Sequence, residues 1–423
     1  MKFKDKIFYG WIVTGAFLAI GTMLWGVRLS YGIFFKSIEA EFNLSRAATS
    51  SIFSVHLALG VVFALLGGWA LDRFGPKIVI LVMGLLTALS LLLTSQTDSF
   101  WQLFLTYSLL LSLGSSATYA VITSTISRWF DKKRGLALGI ATAGVGLGTV
   151  VMAPLSTFLI SNLDWRTAFL VLGIISLVIV VPLSWLLKRE PREIGALPDG
   201  VKSESIKSPK VNREQIVQAP SLSLVETLRT RSFWLILFIF LCIALTFFII
   251  TTHLVPHATD IGISAEDAAV VLSLQGIMLV IGRIVMGIIS DKLGRKKTAI
   301  VCTLLEVAAM TWLIWANNLW GFYLFAIVFG FAYGGTGPAI TSIAGDAFGL
   351  RHIGTIIGML EIGFGIGATI GPAIGGFIFD VTQNYTMAFL LGAGIMLLAT
   401  ILIFPVGREI HAHNKHRALT STQ

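Results

Sequence analysis

The sequence predicts an all-α membrane protein, with twelve transmembrane helices arranged as two six-helix bundles. Composition is the first observation: of 423 residues, 55% are hydrophobic and only 13% charged, and the mean hydropathy is +0.85. A soluble domain carries roughly 45–50% apolar and about 25% charged residues. The second is a series of apolar runs of about 20 residues, the length that crosses a bilayer. The third is a repeat. Gly68-Trp69-Ala70-Leu71-Asp72-Arg73-Phe74-Gly75-Pro76-Lys77 reads G-x-x-x-D-R-x-G-x-K, and Gly287-Ile288-Ile289-Ser290-Asp291-Lys292-Leu293-Gly294-Arg295-Lys296 reads G-x-x-x-D-K-x-G-R-K. Each joins the second and third apolar runs of its own half, as a duplicated bundle requires. In membranes that architecture belongs mostly to secondary transporters.

The twelve segments, α1 to α12 in chain order, are 8–35, 46–71, 76–95, 100–127, 135–160, 166–187, 232–258, 265–290, 297–316, 319–345, 353–379 and 385–406. Segment α1 follows the basic start Met1-Lys2-Phe3-Lys4-Asp5-Lys6. Its apolar run is too long for a signal peptide, and no clear small-residue cleavage site follows, so it reads as an uncleaved helix. The first repeat separates α2 from α3. The basic stretch Arg128, Lys132, Lys133 and Arg134 separates α4 from α5. Segment 188–231, with Pro191, Pro198, Pro209 and Pro220, divides the halves as a cytoplasmic linker. Its Ser221–Leu228 end reads either as a short amphipathic surface helix or as plain linker. The second repeat separates α8 from α9, Arg351 lies between α10 and α11, and a basic tail follows α12. The domains are thus 1–187, the linker 188–231, 232–406 and a tail 407–423.

Of the 31 Lys and Arg, only Lys36, Arg46 and Arg166 lie at the opposite side, and Arg28 and Arg283 lie well inside helices, away from their ends. Cytoplasmic loops carry the Lys/Arg excess, so both termini and the linker are expected inside. The net charge of +9 therefore reads as topology rather than nucleic-acid binding. Glycine, at 42 residues, lets transmembrane helices approach closely. Cys242 and Cys302 sit in apolar runs without ligand spacing and read as packing residues.

In the repeated loop, Asp72 and Asp291 stand at cytoplasmic helix ends. A carboxylate there pairs with a neighbouring basic loop or caps the positive end of a facing helix. Gly68 and Gly287 would let that helix approach, and Gly75 and Gly294 would allow a tight turn. With Arg73, Lys77 and Arg295 these residues form a candidate cytoplasmic latch; the plainer alternative is a turn bearing inside-positive charge.

The loop resembles the signature of the major facilitator superfamily, which implies the major facilitator fold and alternating access. The start of α5 is more specific. Phe130-Asp131-Lys132-Lys133-Arg134-Gly135-Leu136-Ala137-Leu138-Gly139-Ile140-Ala141-Thr142-Ala143-Gly144 resembles the monocarboxylate transporter pattern of an aromatic, a basic cluster and L-A-x-G-x-A-x-A-G. The bacterial oxalate/formate antiporter branch is similar. Two positions depart from the pattern. The acidic residue that often precedes glycine and tryptophan in α1 is Tyr9 here, before Gly10-Trp11, and the aspartate that proton-linked members carry four residues before the α8 arginine is Leu279.

An ionised side chain at the bilayer centre costs at least ~2.5–3.5 kcal/mol on insertion scales, so intramembrane charges point to function. Arg283 and Glu361 each stand eight residues from the cytoplasmic end of their helix, roughly 12 Å in. Equal depth makes them a candidate pair. The resemblance adds that α8 and α11 border the central cavity and that Arg283, in Gly282-Arg283-x-x-Met286-Gly287, binds the substrate carboxylate. A guanidinium stays charged and holds a carboxylate bidentately. An anion arriving at Arg283 would relieve its hold on Glu361 and favour the neutral acid there, coupling anion to proton; the alternatives are a fixed ion pair or a snorkelling arginine. Arg28, on the outer part of α1, is a candidate second anion site or an outward snorkeller. Tyr119 and Tyr333 are candidate hydroxyl donors, and Val145 a candidate apolar wall. His56 and His253 read first as histidines bonded to neighbours, and Glu306 has no assigned role.

No G-x-x-x-x-G-K-[ST], metal-ligand cluster or G-x-S-x-G suggests an enzyme. The expected function is proton-coupled transport of small monocarboxylates such as lactate or pyruvate, as a monomer in a cell membrane, here a bacterial inner membrane, with no cofactor and no nucleic acid. The alternatives are an oxalate/formate-type anion exchanger, a drug or sugar exporter of the same fold, and a receptor built on a transporter scaffold.

Overall fold

The computed structural model describes residues 8–130, 133–200, 222–349 and 353–407. The N-terminal lysines, Asp131, Lys132, linker residues 201–221, Arg351 and the tail beyond Gly407 lie outside them. The described residues are helical, with no strand among them. Ten helices are long and apolar enough to cross a membrane by length and composition. Twelve segments are recovered because one of the ten, Arg46–Thr94, is two helices, and because Arg295–Leu313, with Arg295, Lys296, Lys297 and Glu306, is a further helix outside the ten.

Helix α1 runs Tyr9–Phe42, longer than its apolar run, because the amphipathic stretch from Tyr31 continues it until Asn43 ends it in the left-handed region (φ 48). It breaks at Ser30 (φ −80, ψ 0). The Ser30 hydroxyl donates to the Gly26 carbonyl at 2.7 Å, a bond that competes with the helix ladder and bends it. Gly75, at φ 78 and ψ 168, separates α2 (46–74) from α3 (76–94). Helix α4, Phe100–Trp129, contains a π-helical stretch, Phe104–Leu110. Helix α5 is Arg134–Thr142 and Gly144–Asn162, joined at Ala143. Helix α6, Trp165–Ser184, is capped by Asp164, whose carboxylate accepts from the Thr167 amide. The second half holds α7 (Arg231–Asp260), α8 (Ala265–Leu293), α9 (Arg295–Leu313), α10 (Leu319–Phe348), α11 (Ile353–Thr382) and α12 (Thr386–Ile403). The linker's end forms a short helix, Leu224–Leu228, with a capping box between Ser223 and Glu226. Its leading Leu222 amide donates to the Phe348 carbonyl at 3.0 Å.

The chain divides into two compact units, Met1–Ser208 with Thr251–Gly276, and Pro209–Ile250 with Ile277–Gln423. In the first, α1 meets α5 backbone to backbone: a Cβ on Gly148 would lie 2.7 Å from the Gly26 amide, and one on Gly144 2.8 Å from that of Thr22. This crossing accounts for the terminal glycine of the α5 motif. The end of α1 and the start of α2 are tied to the end of α7 by charge. Arg46 grips Asp260 with both terminal nitrogens, at 2.5 and 2.9 Å, and reaches Glu39 at 3.2 Å, while Lys36 reaches Asp260 at 2.6 Å. In the second unit, Gly363, Gly367 and Gly371 of α11 lay one face on the carbonyls of Leu237, Leu241 and Leu245 of α7. A core including Phe233, Ile236, Ile340, Phe348, Leu360 and Met396 fills the interior.

Candidate anion site

Arg283 is placed by a glycine crossing. A Cβ on Gly282 would fall 2.0 Å from the Phe331 carbonyl oxygen. One on Gly334 would fall 2.2 Å from that of Leu279 and 2.9 Å from the Arg283 amide. Only glycine permits this approach, so α8 and α10 touch through their backbones where Arg283 leaves its helix. Tyr333 precedes Gly334. Its ring stacks on Phe247 of α7, with centroids 4.0 Å apart and planes at 12°, and lies parallel to Phe329 one turn earlier. The phenol is therefore held rigidly, within electrostatic reach of Arg283, Glu361 and Glu306.

Arg283 is partly exposed, and it takes part in no ion pair among the described residues. Its Nε is buried without a hydrogen-bond partner. Glu361 is exposed and likewise unpaired among those residues. The pair expected from equal depth is thus not formed. Glu361 stands two residues before Gly363, about 200° round the helix from the face buried on α7, and its depth alone does not aim it at α8.

Glu306 finds an account that sequence reasoning lacked: its carboxyl is fully buried and meets the Thr336 hydroxyl of α10. Thr336 and Phe247 went unnoticed because neither is charged nor part of a motif; aromatic spacing along α7 carries no sign of which ring faces a tyrosine. In the first unit, Arg28 is partly exposed at the end of the Tyr9–Leu29 stretch. Tyr119 is 54% exposed, with its ring 6.5 Å from Trp25, and Val145 is half-buried. His253 follows expectation, its Nε2 lying 3.4 Å from the Ser50 hydroxyl. His56 is 1% exposed, and its ring meets the Tyr107 backbone carbonyl outside good hydrogen-bond geometry.

The two repeated loops share a backbone device. Gly75 and Gly294 have φ of 78 and 95, a region that a side chain disfavours. In the first copy, Arg128 of α4 reaches the Asp72 carboxylate at 3.3 Å and Arg189 donates to the Asp72 carbonyl at 2.8 Å. Arg73 lies over Trp69, and Lys77 over Trp185 at 4.7 Å. In the second, Arg295 pairs with Asp346 and donates to the Ser342 carbonyl at 3.0 Å, while the Asp291 side chain lies outside the described residues. Gly68 and Gly287 do not serve the close approach expected of them. Neither has a described atom within 4 Å of its Cβ position, and it is Gly67 that meets α4, 2.1 Å from the Ala117 Cβ. Helical rotation puts Gly67, not its neighbour, on the contact face.

Comparison with known proteins agrees with this architecture. The family model of the Major Facilitator Superfamily matches residues 12–260 and 254–421. Monocarboxylate transporter 13 of Bos taurus is 28% identical over 92% of this chain and 87% of its own length. Monocarboxylate transporter 12-B of Danio rerio is 26% identical over 94% and 87%. Among solved structures, a bacterial homolog of the human lysosomal transporter Spinster, in an inward-facing and occupied conformation, superposes with a TM-score of 0.76 at 16% identity, covering 95% of this chain and 97% of that one. From repeated loop to glycine crossings and family match, the chain belongs to the Major Facilitator Superfamily, as a multi-pass membrane transporter.

Proposed function

We propose that this transporter carries small monocarboxylates of the lactate and pyruvate kind, coupled to protons, with Arg283 as the carboxylate ligand. The observation that carries the reading is a membrane-embedded guanidinium with no ion-pair partner among the described residues, held beside a rigid tyrosine. A cation within the membrane span and without a counter-ion is costly, and an anionic cargo supplies the counter-ion. The relatives named as monocarboxylate transporters support the same class. Arg283 forks onto the carboxylate, and Tyr333 donates its hydroxyl. Glu361 carries the proton. The latch residues of the two loops hold the cytoplasmic ends between cycles, with both termini inside.

Uptake into proteoliposomes tests this. Arg283→Gln abolishes pyruvate uptake while elution and thermal stability stay as in the parent. Glu361→Gln retains exchange of pyruvate for pyruvate and loses the response to an imposed proton gradient. Normal uptake by Arg283→Gln refutes the anion site. Counterflow in the parent without any pH response favours an oxalate/formate-type exchanger instead.

A further inference from the structure

The first unit buries a second polar cluster that the function above does not need. Arg28 is within electrostatic reach of both His56 of α2 and Tyr107 of α4. The rings of His56 and Tyr107 have centroids 5.8 Å apart. Each side chain is 1% exposed, yet the Tyr107 hydroxyl has no hydrogen-bond partner, and the His56 ring meets only the Tyr107 backbone carbonyl, outside good hydrogen-bond geometry. A buried hydroxyl left unpaired beside a poorly satisfied imidazole requires an explanation.

Local geometry supplies one. Tyr107 lies in the middle of the seven-residue π-helical stretch of α4, and such stretches recur at functional sites. Arg28 stands two residues before the α1 break at Ser30. Two helices thus give up regular geometry beside the same cluster. The rings are then locked: Phe53 stacks on His56 (centroids 5.8 Å, planes at 9°), and Tyr31 stacks on Phe53 (5.0 Å, 12°). The backbone is pinned as well, since Ser108 and Ser112 of α4 donate to the carbonyls of Ile52 and His56 at 2.7 and 2.9 Å. A guanidinium, an imidazole N–H and a phenol O–H are all donors, and together they describe the partner as a compact acceptor of negative charge.

We propose that Arg28, His56 and Tyr107 form a carboxylate-binding site within the N-terminal half, separate in its residues from the one at Arg283. The choice of a carboxylate, rather than another small anion, rests on the function proposed above. Arg28 supplies charge, Tyr107 and His56 supply hydrogen bonds, and the stacked Phe53 and Tyr31 keep the donors aimed.

Equilibrium binding of radiolabelled pyruvate to the full chain in lipid nanodiscs tests it, with Arg28→Gln, His56→Asn, Tyr107→Phe and Arg283→Gln side by side. A hydrogen bond to a charged group is worth ~1.5–3 kcal/mol, about ten- to a hundredfold in affinity. Tyr107→Phe removes one oxygen without changing shape and should weaken binding about tenfold, and Arg28→Gln more. Arg283→Gln alone should leave a saturable component that disappears when Arg28→Gln is added. Where pyruvate uptake falls together with this component, the carboxylate bound is the cargo's; where uptake persists, it is a separate carboxylate, and the site stands in both cases. Wild-type binding by Arg28→Gln, His56→Asn and Tyr107→Phe overturns the proposal. So does the loss of all binding in Arg283→Gln alone. Neither result touches the role of Arg283, which fails only if Arg283→Gln transports normally.

Discussion

Replacing Gly282 with alanine adds one methyl group where the backbones of α8 and α10 already touch. The new Cβ would sit 2.0 Å from the Phe331 carbonyl oxygen, whereas ordinary contact begins at 3.4 Å, so the helices must part by about 1.4 Å. Overpacking of this kind costs ~1–3 kcal/mol. The neighbouring Arg283 then moves relative to Tyr333, and transport should fall more steeply than stability. Gly337→Ala is the matched control. It adds the same methyl to α10, where no described atom lies within 4 Å, and alanine's better helix propensity is worth up to ~1 kcal/mol. Thermal unfolding in nanodiscs should show Gly282→Ala several degrees below the parent and Gly337→Ala at or slightly above it. Uptake should be impaired only in the first. Equal melting and equal uptake for the two variants would refute the idea that this crossing positions the arginine.

Three further outcomes follow from local geometry. Asp260→Asn leaves Arg46, whose side chain is 8% exposed, without its bidentate partner; thermal unfolding should show a loss of ~1–3 kcal/mol, and neutralising Arg46 as well should recover part of it. Gly75→Ala places a side chain at φ 78 and ψ 168, a region essentially reserved for glycine, and should cost ~1–3 kcal/mol, with Gly294→Ala behaving alike. Asp164→Ala removes an N-cap and should cost ~1 kcal/mol at neutral pH. The Thr167 amide and hydroxyl hold the Asp164 carboxyl below the usual carboxylate range. Its contribution is therefore complete above the ordinary carboxylate pKa and is lost as pH falls through the lowered one, so the two melting curves should converge only in strong acid.

The twelve helices were legible because hydropathy over 20 residues and the Lys/Arg distribution depend on no tertiary detail. Helix ends were less so. Phe42 lies beyond the apolar run because an amphipathic stretch continues α1 in register, and the break at Ser30 depends on a hydroxyl choosing its own helix's carbonyl. At the site, Arg283 and Tyr333 announced themselves as polar groups in apolar helices. What sequence depth left open was azimuth: Arg283 and Glu361 share a level yet make no ion pair, and Gly67 rather than Gly68 meets α4. Tyr107 was invisible for a related reason. A tyrosine in an apolar helix looks the same whether its hydroxyl is satisfied or not, and nothing in the α4 sequence marks the π-helical stretch.

The Glu306 carboxyl is satisfied on one side only: Oε1 meets Thr336, and Oε2 is buried without a hydrogen-bond partner. Thr336 Oγ1 contacts both Glu306 Oε1 and the Ala332 carbonyl, but a hydroxyl has one hydrogen to give. Both contacts are satisfied together if Glu306 is the neutral acid, donating to Thr336 while Thr336 donates to Ala332. Glu306→Gln keeps a donor of nearly the same shape and should stay within about 1 kcal/mol of the parent. Glu306→Asp keeps the acid but withdraws it by one methylene, and should cost ~1–3 kcal/mol through the lost hydrogen bond. If thermal unfolding instead places Gln well below Asp, the negative charge rather than the donor is what the site requires, and the neutral-acid assignment is wrong.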